Sequence, residues 1–167
     1  IDNQGNLTVD GGTIKLDGNY PVGTGNVALG DAALDSNVSG GSNVAIGANA
    51  LTANTASNNT AVGATALLTN SSGNNNVAIG YGSLYYNNTA NHNTATGISS
   101  LQDNTTGTFN VAYGSQALFS NIASSSNTAV GYQAGYTNEA GTRVAYFGKD
   151  AGKLSTVSDN TFIGQSS

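Results

Sequence analysis

A pentad of the form Asn-(Val/Thr)-Ala-(aliphatic)-Gly returns down almost the whole chain, and its closing glycines are evenly spaced. They are Gly30, Gly47, Gly63, Gly80, Gly97, Gly114, Gly131, Gly148 and Gly164, with gaps of 17, 16, 17, 17, 17, 17, 17 and 16 residues. A period this short and strict describes a stack of small like units, not a globular domain around a unique core. A helix–turn–helix repeat needs upward of about thirty residues, so it does not fit the interval. The pentads carry the β-branched residues and the alternation of a short strand.

Further columns keep the same spacing. Asn26, Asn43, Asn59, Asn76, Asn93, Asn110, Asn127 and Asn160 stand four residues before the glycine, with Val144 breaking the series. Asn37, Asn54, Asn70, Asn87, Asn104, Asn121 and Asn138 stand seven after it. Ala28, Ala45, Ala61, Ala78, Ala95, Ala112 and Ala129 come two before it, and Leu34, Leu51, Leu67, Leu84, Leu101 and Leu118 four after it. The remainder is Ser, Asn, Thr and Gly, which is turn chemistry. These columns predict an all-β fold: a parallel β-solenoid or β-roll of about nine 17-residue coils over residues 26–167. Each coil is expected to hold two brief strands, the second ending at the leucine. Coils stacked at about 4.8 Å would make a rod roughly 43 Å long. The asparagines are expected at turns, where they tolerate left-handed backbone angles and bond their own backbone. Stacked copies can also form amide ladders along the rod.

A compensating exchange points to the interior. Where Leu is expected, the seventh and eighth units have Gly135 and Gly152; where Ala is expected, the eighth and ninth have Tyr146 and Phe162. Cores tolerate changes that conserve volume, so the Ala and Leu columns are expected to share one interior with Tyr146 and Phe162. Alternation then sends Val27, Leu29, Val44, Ile46, Val62, Val77, Ile79, Val111 and Val130 to the opposite face. A long bare apolar stripe is an interaction surface or an aggregation hazard, and an interior of Ala with one Leu per unit is thin for a slender rod. Association through the stripe answers both problems, so the pattern predicts an oligomer.

Residues 1–25 lie outside the repeat. Leu7-Thr8-Val9 and Thr13-Ile14-Lys15-Leu16, separated by Gly11-Gly12, read as a lead-in hairpin capping one end of the rod. The chain opens at Ile1 and stops three residues after Gly164, as expected of a piece of a longer polypeptide.

Charge and composition exclude several classes. Only 8% of residues are charged, against roughly 25% in an average soluble protein. The net charge of −5, with Lys15, Arg143, Lys149 and Lys153 the only basic residues, argues against nucleic-acid binding. No apolar run approaches the roughly 20 residues of a membrane helix. With no cysteine there is neither a disulfide framework nor a thiolate metal site. The lone His92 reads as a surface turn residue. Asp31 and Asp35 are the nearest approach to the paired carboxylates of a glycan-cleaving site, and a solvated turn explains them better. The calcium-binding nonapeptide, the P-loop and the nucleophile elbow are all missing. Asn37-Val38-Ser39 and Asn87-Asn88-Thr89 match the glycosylation pattern, as an Asn/Ser/Thr-rich chain does by chance. Tyr81, Tyr85, Tyr86, Tyr113, Tyr132 and Tyr136 are expected to pack between chains or to offer stacking surfaces for sugars. No cofactor, metal or catalytic residue is expected.

The tags Asn43 to Gly47 and Asn76 to Gly80 (Asn-Val-Ala-Ile-Gly) resemble the head repeats of YadA-like trimeric autotransporter adhesins. The longer run Asn127-Thr128-Ala129-Val130-Gly131-Tyr132-Gln133-Ala134 is similar to repeat arrays in fibre proteins of tailed bacteriophages, cyanophages among them. The lead-in Gly11 to Pro21 resembles the segment before such arrays. The resemblance implies a left-handed parallel β-roll, intertwined or side by side as a homotrimer. The 17-residue unit is longer than the usual adhesin-head unit, and Thr60, Thr94, Thr128 and Thr161 replace Val in alternate tags. It further implies a structural fibre segment of a phage virion, a rigid rod that spaces or presents host-attachment elements. The expected partners are its own copies, other virion proteins and a host cell-surface glycan or protein, and the expected location is the virion surface. The alternative it implies is an adhesin head on a bacterial surface. A tailspike-like depolymerase and an ice-binding rod fit less well, the latter because Thr falls only in alternate units.

Overall fold

The computed structural model describes residues 24–167; the lead-in hairpin falls almost wholly outside them. The described chain is a parallel β-solenoid with no helix. Its strands are β1 Val27–Leu29, β2 Val44–Ile46, β3 Thr60–Val62, β4 Val77–Ile79, β5 Thr94–Thr96, β6 Val111–Tyr113, β7 Thr128–Val130, β8 Ala145–Phe147 and β9 Thr161–Ile163. They form one nine-stranded sheet in chain order. Each strand pairs in parallel with the equivalent residues one unit along, Ala45 beside Ala61 and Ala78 beside Ala95. We number the coils 1 to 9 after their strands.

Each coil carries one strand, not two. The second apolar stretch is broken by left-handed backbone at the second and fourth residues after the tag glycine. Leu34, Leu51, Leu67, Leu84, Leu101 and Leu118 have φ between 50° and 55°, so no extended run passes through them. Such a conformation costs a bulky residue on the order of 1–3 kcal/mol. Two gains offset it. Every one of these leucines is 0–1% exposed, and burying a leucine contributes about 1.5–3 kcal/mol. Each backbone N–H also donates to the next coil, as in Leu51 to Ala66 and Leu101 to Ala117, both 3.0 Å. The coil-to-coil ladder therefore continues where strand geometry ends.

The tag glycines hold φ between 111° and 141°. A Cβ on Gly47 would sit 2.6 Å from the carbonyl carbon of Gly63, and one on Gly97 2.5 Å from that of Gly114. From Gly30 to Gly148 neighbouring coils touch backbone to backbone, so no side chain fits; Gly164, in the last coil, has open space beside it.

The interior consists of the tag alanines, the leucines and a third column three residues after the glycine: Ala50, Ala66, Ser83, Ser100, Ala117, Ala134 and Ala151. Ala45, Ala61 and Ala78 are buried with them, while Ala28 in coil 1 is partly exposed. Towards the C-terminal end, Tyr146 is fully buried and stacks on the partly buried Phe162 at 5.4 Å between ring centroids. A Cβ on Gly135 would lie 2.8 Å from the Tyr146 ring, and one on Gly152 2.4 Å from it. One tyrosine thus occupies the space of two leucines.

The two asparagine columns are buried except at their ends, where Asn26 is half-buried and Asn160 exposed, and their backbone is not left-handed. The left-handed angles fall one residue before the tag asparagine, at Ser42, Asn58, Asn75, His92, Phe109, Ser126 and Asp159, and at Arg143 before Val144. Each tag asparagine accepts the backbone N–H of its successor: Asn76 Oδ1 from Asn93, Asn93 Oδ1 from Asn110 and Asn127 Oδ1 from Val144. Its amide nitrogen donates to a carbonyl that also accepts from a turn asparagine. Gly107, for instance, receives Asn93 at 2.8 Å and Asn104 at 3.0 Å. The turn asparagines bond one another as well, Asn87 to Asn70 at 2.9 Å and Asn121 to Asn104 at 3.0 Å. Each buried amide is satisfied by a periodic partner, which is what burial of a polar group demands. Val144 has no side-chain acceptor, so the tag ladder stops there.

Candidate interaction surface

A three-residue strand pointing its middle residue inward turns the first and third outward. The outer face of the sheet therefore has two columns. One is Val27, Val44, Thr60, Val77, Thr94, Val111, Thr128, Ala145 and Thr161; the other is Leu29, Ile46, Val62, Ile79, Thr96, Tyr113, Val130, Phe147 and Ile163. Within this face Val27, Ile79, Val111 and Val130 are exposed, and Leu29, Val44, Ile46, Val62 and Val77 are half-buried among their neighbours. Tyr113 and Phe147 extend the apolar face into the later coils, at 62% and 41% exposure. The flanking columns add Tyr81, Ile98 and Tyr132 on one side and Phe109 on the other. Most large apolar side chains exposed among the described residues thus lie on one side of the rod.

The tyrosines divide between two places. Tyr81, Tyr113 and Tyr132 belong to the apolar side. Tyr85, Tyr86 and Tyr136 sit five or six residues after a tag glycine, where Phe119 stacks on Tyr136 at 5.0 Å and Tyr85 meets Tyr86 edge to face at 4.6 Å. His92, with φ 57°, is exposed and stacks flat on Phe109 at 4.9 Å. Asp31 and Asp35 are exposed on coil 1. Among the described residues no cluster of His, Cys, Asp and Glu could hold a metal ion, and no helix is long and apolar enough to cross a membrane. Asn37 and Asn87 of the glycosylation triplets are 3% and 0% exposed, so their amides belong to the ladder and offer no acceptor.

Charge concentrates near coil 8. Arg143 grips Asp159 with two hydrogen bonds of 2.6 and 2.8 Å, which hold the Asp159 carboxyl below the usual carboxylate range. Burial works against the Asp150 carboxylate, yet hydrogen bonds and charge from Lys153 and Lys149 outweigh it and lower its pKa. Asp103 moves the other way, raised by partial burial against a hydrogen bond from Gln102. Asp150 is held by ion pairs with Lys149 and Lys153 at 3.4 and 3.3 Å, while its buried Oδ1 has no well-aligned hydrogen-bond partner among the described residues.

Two columns escape a reading based on large residues. One is the Ala/Ser column inside the coil. The other is Gly40, Ala56, Gly73, Ala90, Gly107, Ser124 and Gly141, whose carbonyls collect both asparagine ladders. Both were signalled only by smallness at a fixed interval.

No family model, no curated protein and no solved structure matches this chain.

Proposed function

We propose that this chain is a structural fibre segment of a phage virion, a rigid trimeric rod that spaces or presents host-attachment elements. The observation that carries the reading is a largely apolar outer face, interrupted at coil 5 by Thr94 and Thr96, on a sheet running through all nine coils. A rod held by coil-to-coil hydrogen bonds and buried amide ladders resists bending and local opening, because every internal coil is braced by two neighbours. Three such rods meeting along their apolar faces double the effective thickness of a thin Ala/Leu core. The tags' resemblance to phage fibre arrays and to trimeric adhesin heads supplies the trimer and the setting. Other virion proteins would join the rod at its ends, and a host glycan or protein would be met by what it presents.

Antibodies raised against the purified rod test the reading by immunogold electron microscopy. Gold on a fibre of a tailed particle is expected. Gold on the outer surface of a bacterium, with particles bare, would replace the proposal with the adhesin-head reading.

A further inference from the structure

Repeating rods face a problem of register. When copies meet through these columns, a slip of one coil, about 4.8 Å, keeps apolar side chains on apolar side chains along most of the Leu29-to-Ile163 column, and a slip of two coils also restores the Val/Thr alternation of the other column over coils 2 to 7. Something aperiodic has to choose the alignment. The second outward column carries Leu29, Ile46, Val62, Ile79, Tyr113, Val130, Phe147 and Ile163, a large apolar residue in every coil except coil 5, which has Thr96. Coil 5 also carries Thr94 in the first column, so it is the one rung whose two outward strand residues both bear hydroxyls. Turn threonines of this chain spend their hydroxyls on the next coil: Thr55 on Ser71, Thr69 on Tyr85, Thr105 on Ile122 and Thr137 on Lys153. The Thr94 and Thr96 hydroxyls make no hydrogen bond to any described residue.

We infer that Thr94 and Thr96 form a register-setting rung, at which copies of this chain meet unshifted. The inference rests on the reading above, that copies cover the apolar face. Area supports a second copy as the occupant. A strip about five residues wide and nine coils long covers roughly 700 Å², close to the about 800 Å² per partner of a standard stable interface. In the unshifted alignment the coil 5 hydroxyls of neighbouring copies lie at one level, and each can donate to and accept from another. A slip of one coil sets them against Ile79 or against Val111 and Tyr113, desolvated and without partners, which disfavours that alignment. A single polar layer plays the same part in coiled coils, fixing register at some expense of stability.

The absence of cysteine makes the test clean. Chains bearing Ile46→Cys and chains bearing Val62→Cys, one coil apart, are co-assembled and oxidised, since a disulfide requires Cα atoms within about 7 Å. Same-site links are expected to exceed cross-site links at least five-fold. In a Thr94→Val, Thr96→Val background, which keeps β-branched residues in the strand, the two kinds are expected to approach equal yield while the oligomer mass stays unchanged. An unchanged link ratio in an intact oligomer would overturn the register role and leave the rod standing. Single-chain mass in both backgrounds would overturn the reading that copies cover the apolar face, and the register role with it.

Discussion

Replacing Tyr146 with alanine is expected to destabilise the C-terminal coils by about 3–5 kcal/mol, the range for truncating a large buried aromatic. The reason lies in the two glycines beside it. Coils 7 and 8 have no interior leucine, because Gly135 and Gly152 stand where coils 1 to 6 have one, and the Tyr146 ring crowds both places. Alanine at 146 would leave a cavity with no side chain able to close it. The same geometry specifies a rescue. Gly135 and Gly152 hold φ of 60° and 53°, close to the 50–55° of the six leucines, so the backbone already suits leucine there. Gly152→Leu alone would collide with the Tyr146 ring and destabilise. Tyr146→Ala combined with Gly135→Leu and Gly152→Leu would restore leucine beside alanine in coils 7 and 8, with residue 152 packed against the Phe162 ring that already lies 3.0 Å from a Cβ there, and recover most of the loss. Hydrogen exchange of amides in coils 7 to 9 measures each step. A triple variant no better protected than Tyr146→Ala would show that the glycines do not stand in for leucines.

The second large effect is expected from Asn93→Asp. Asn93 is fully buried, accepts the Asn110 N–H at 2.9 Å and donates to the Gly107 carbonyl at 2.8 Å. Aspartate keeps the acceptor and loses the donor, so at neutral pH a carboxylate faces a carbonyl oxygen in the interior. Leaving a buried charge uncompensated costs about 3–5 kcal/mol. The pH dependence has a definite sign. Burial beside an acceptor raises the folded-state pKa above the unfolded value of about 3.9. The folded state then binds more protons than the unfolded one, and stability is lost as pH rises through that window. The variant should therefore regain stability on acidification, where a protonated carboxyl can donate to Gly107 again. Urea midpoints at pH 7 and pH 4.5 give the comparison, with the parent protein correcting for general acid effects. A deficit of equal size at both pH values would mean that the lost donor, and not the charge, dominates.

Much of the architecture could be read before any coordinates. The interval between glycines implied that equivalent tags lie side by side, as the pairing of Val77 with Thr94 and Ala78 with Ala95 now does. The exchange of two leucines for glycine against alanine for tyrosine was visible as volume. The backbone path of the second half-coil was not. The left-handed position two residues after the tag glycine is occupied in turn by Ala32, Asn49, Thr65, Gly82, Ser99, Gln116 and Gln133. Such a mixture carries no propensity signal, because coil-to-coil hydrogen bonds impose the angle and the side chain merely tolerates it. The asparagines misled for a related reason. Their usual role in turns suggested left-handed backbone, whereas their amides are needed inside as donors and acceptors between coils. The outer face could be named residue by residue from alternation alone. What covers it depends on a second molecule, which one chain's pattern does not contain.

The central claim is that the outer face, from Val27 to Ile163, is covered by sister chains. The mass of the purified protein in dilute solution, by light scattering or sedimentation equilibrium, tests it most directly. A particle of three times the 16.6 kDa chain mass is the expected result, persisting to the lowest concentration that can be observed. A well-folded species of 16.6 kDa, with the valines and isoleucines of that face open to water, would contradict it.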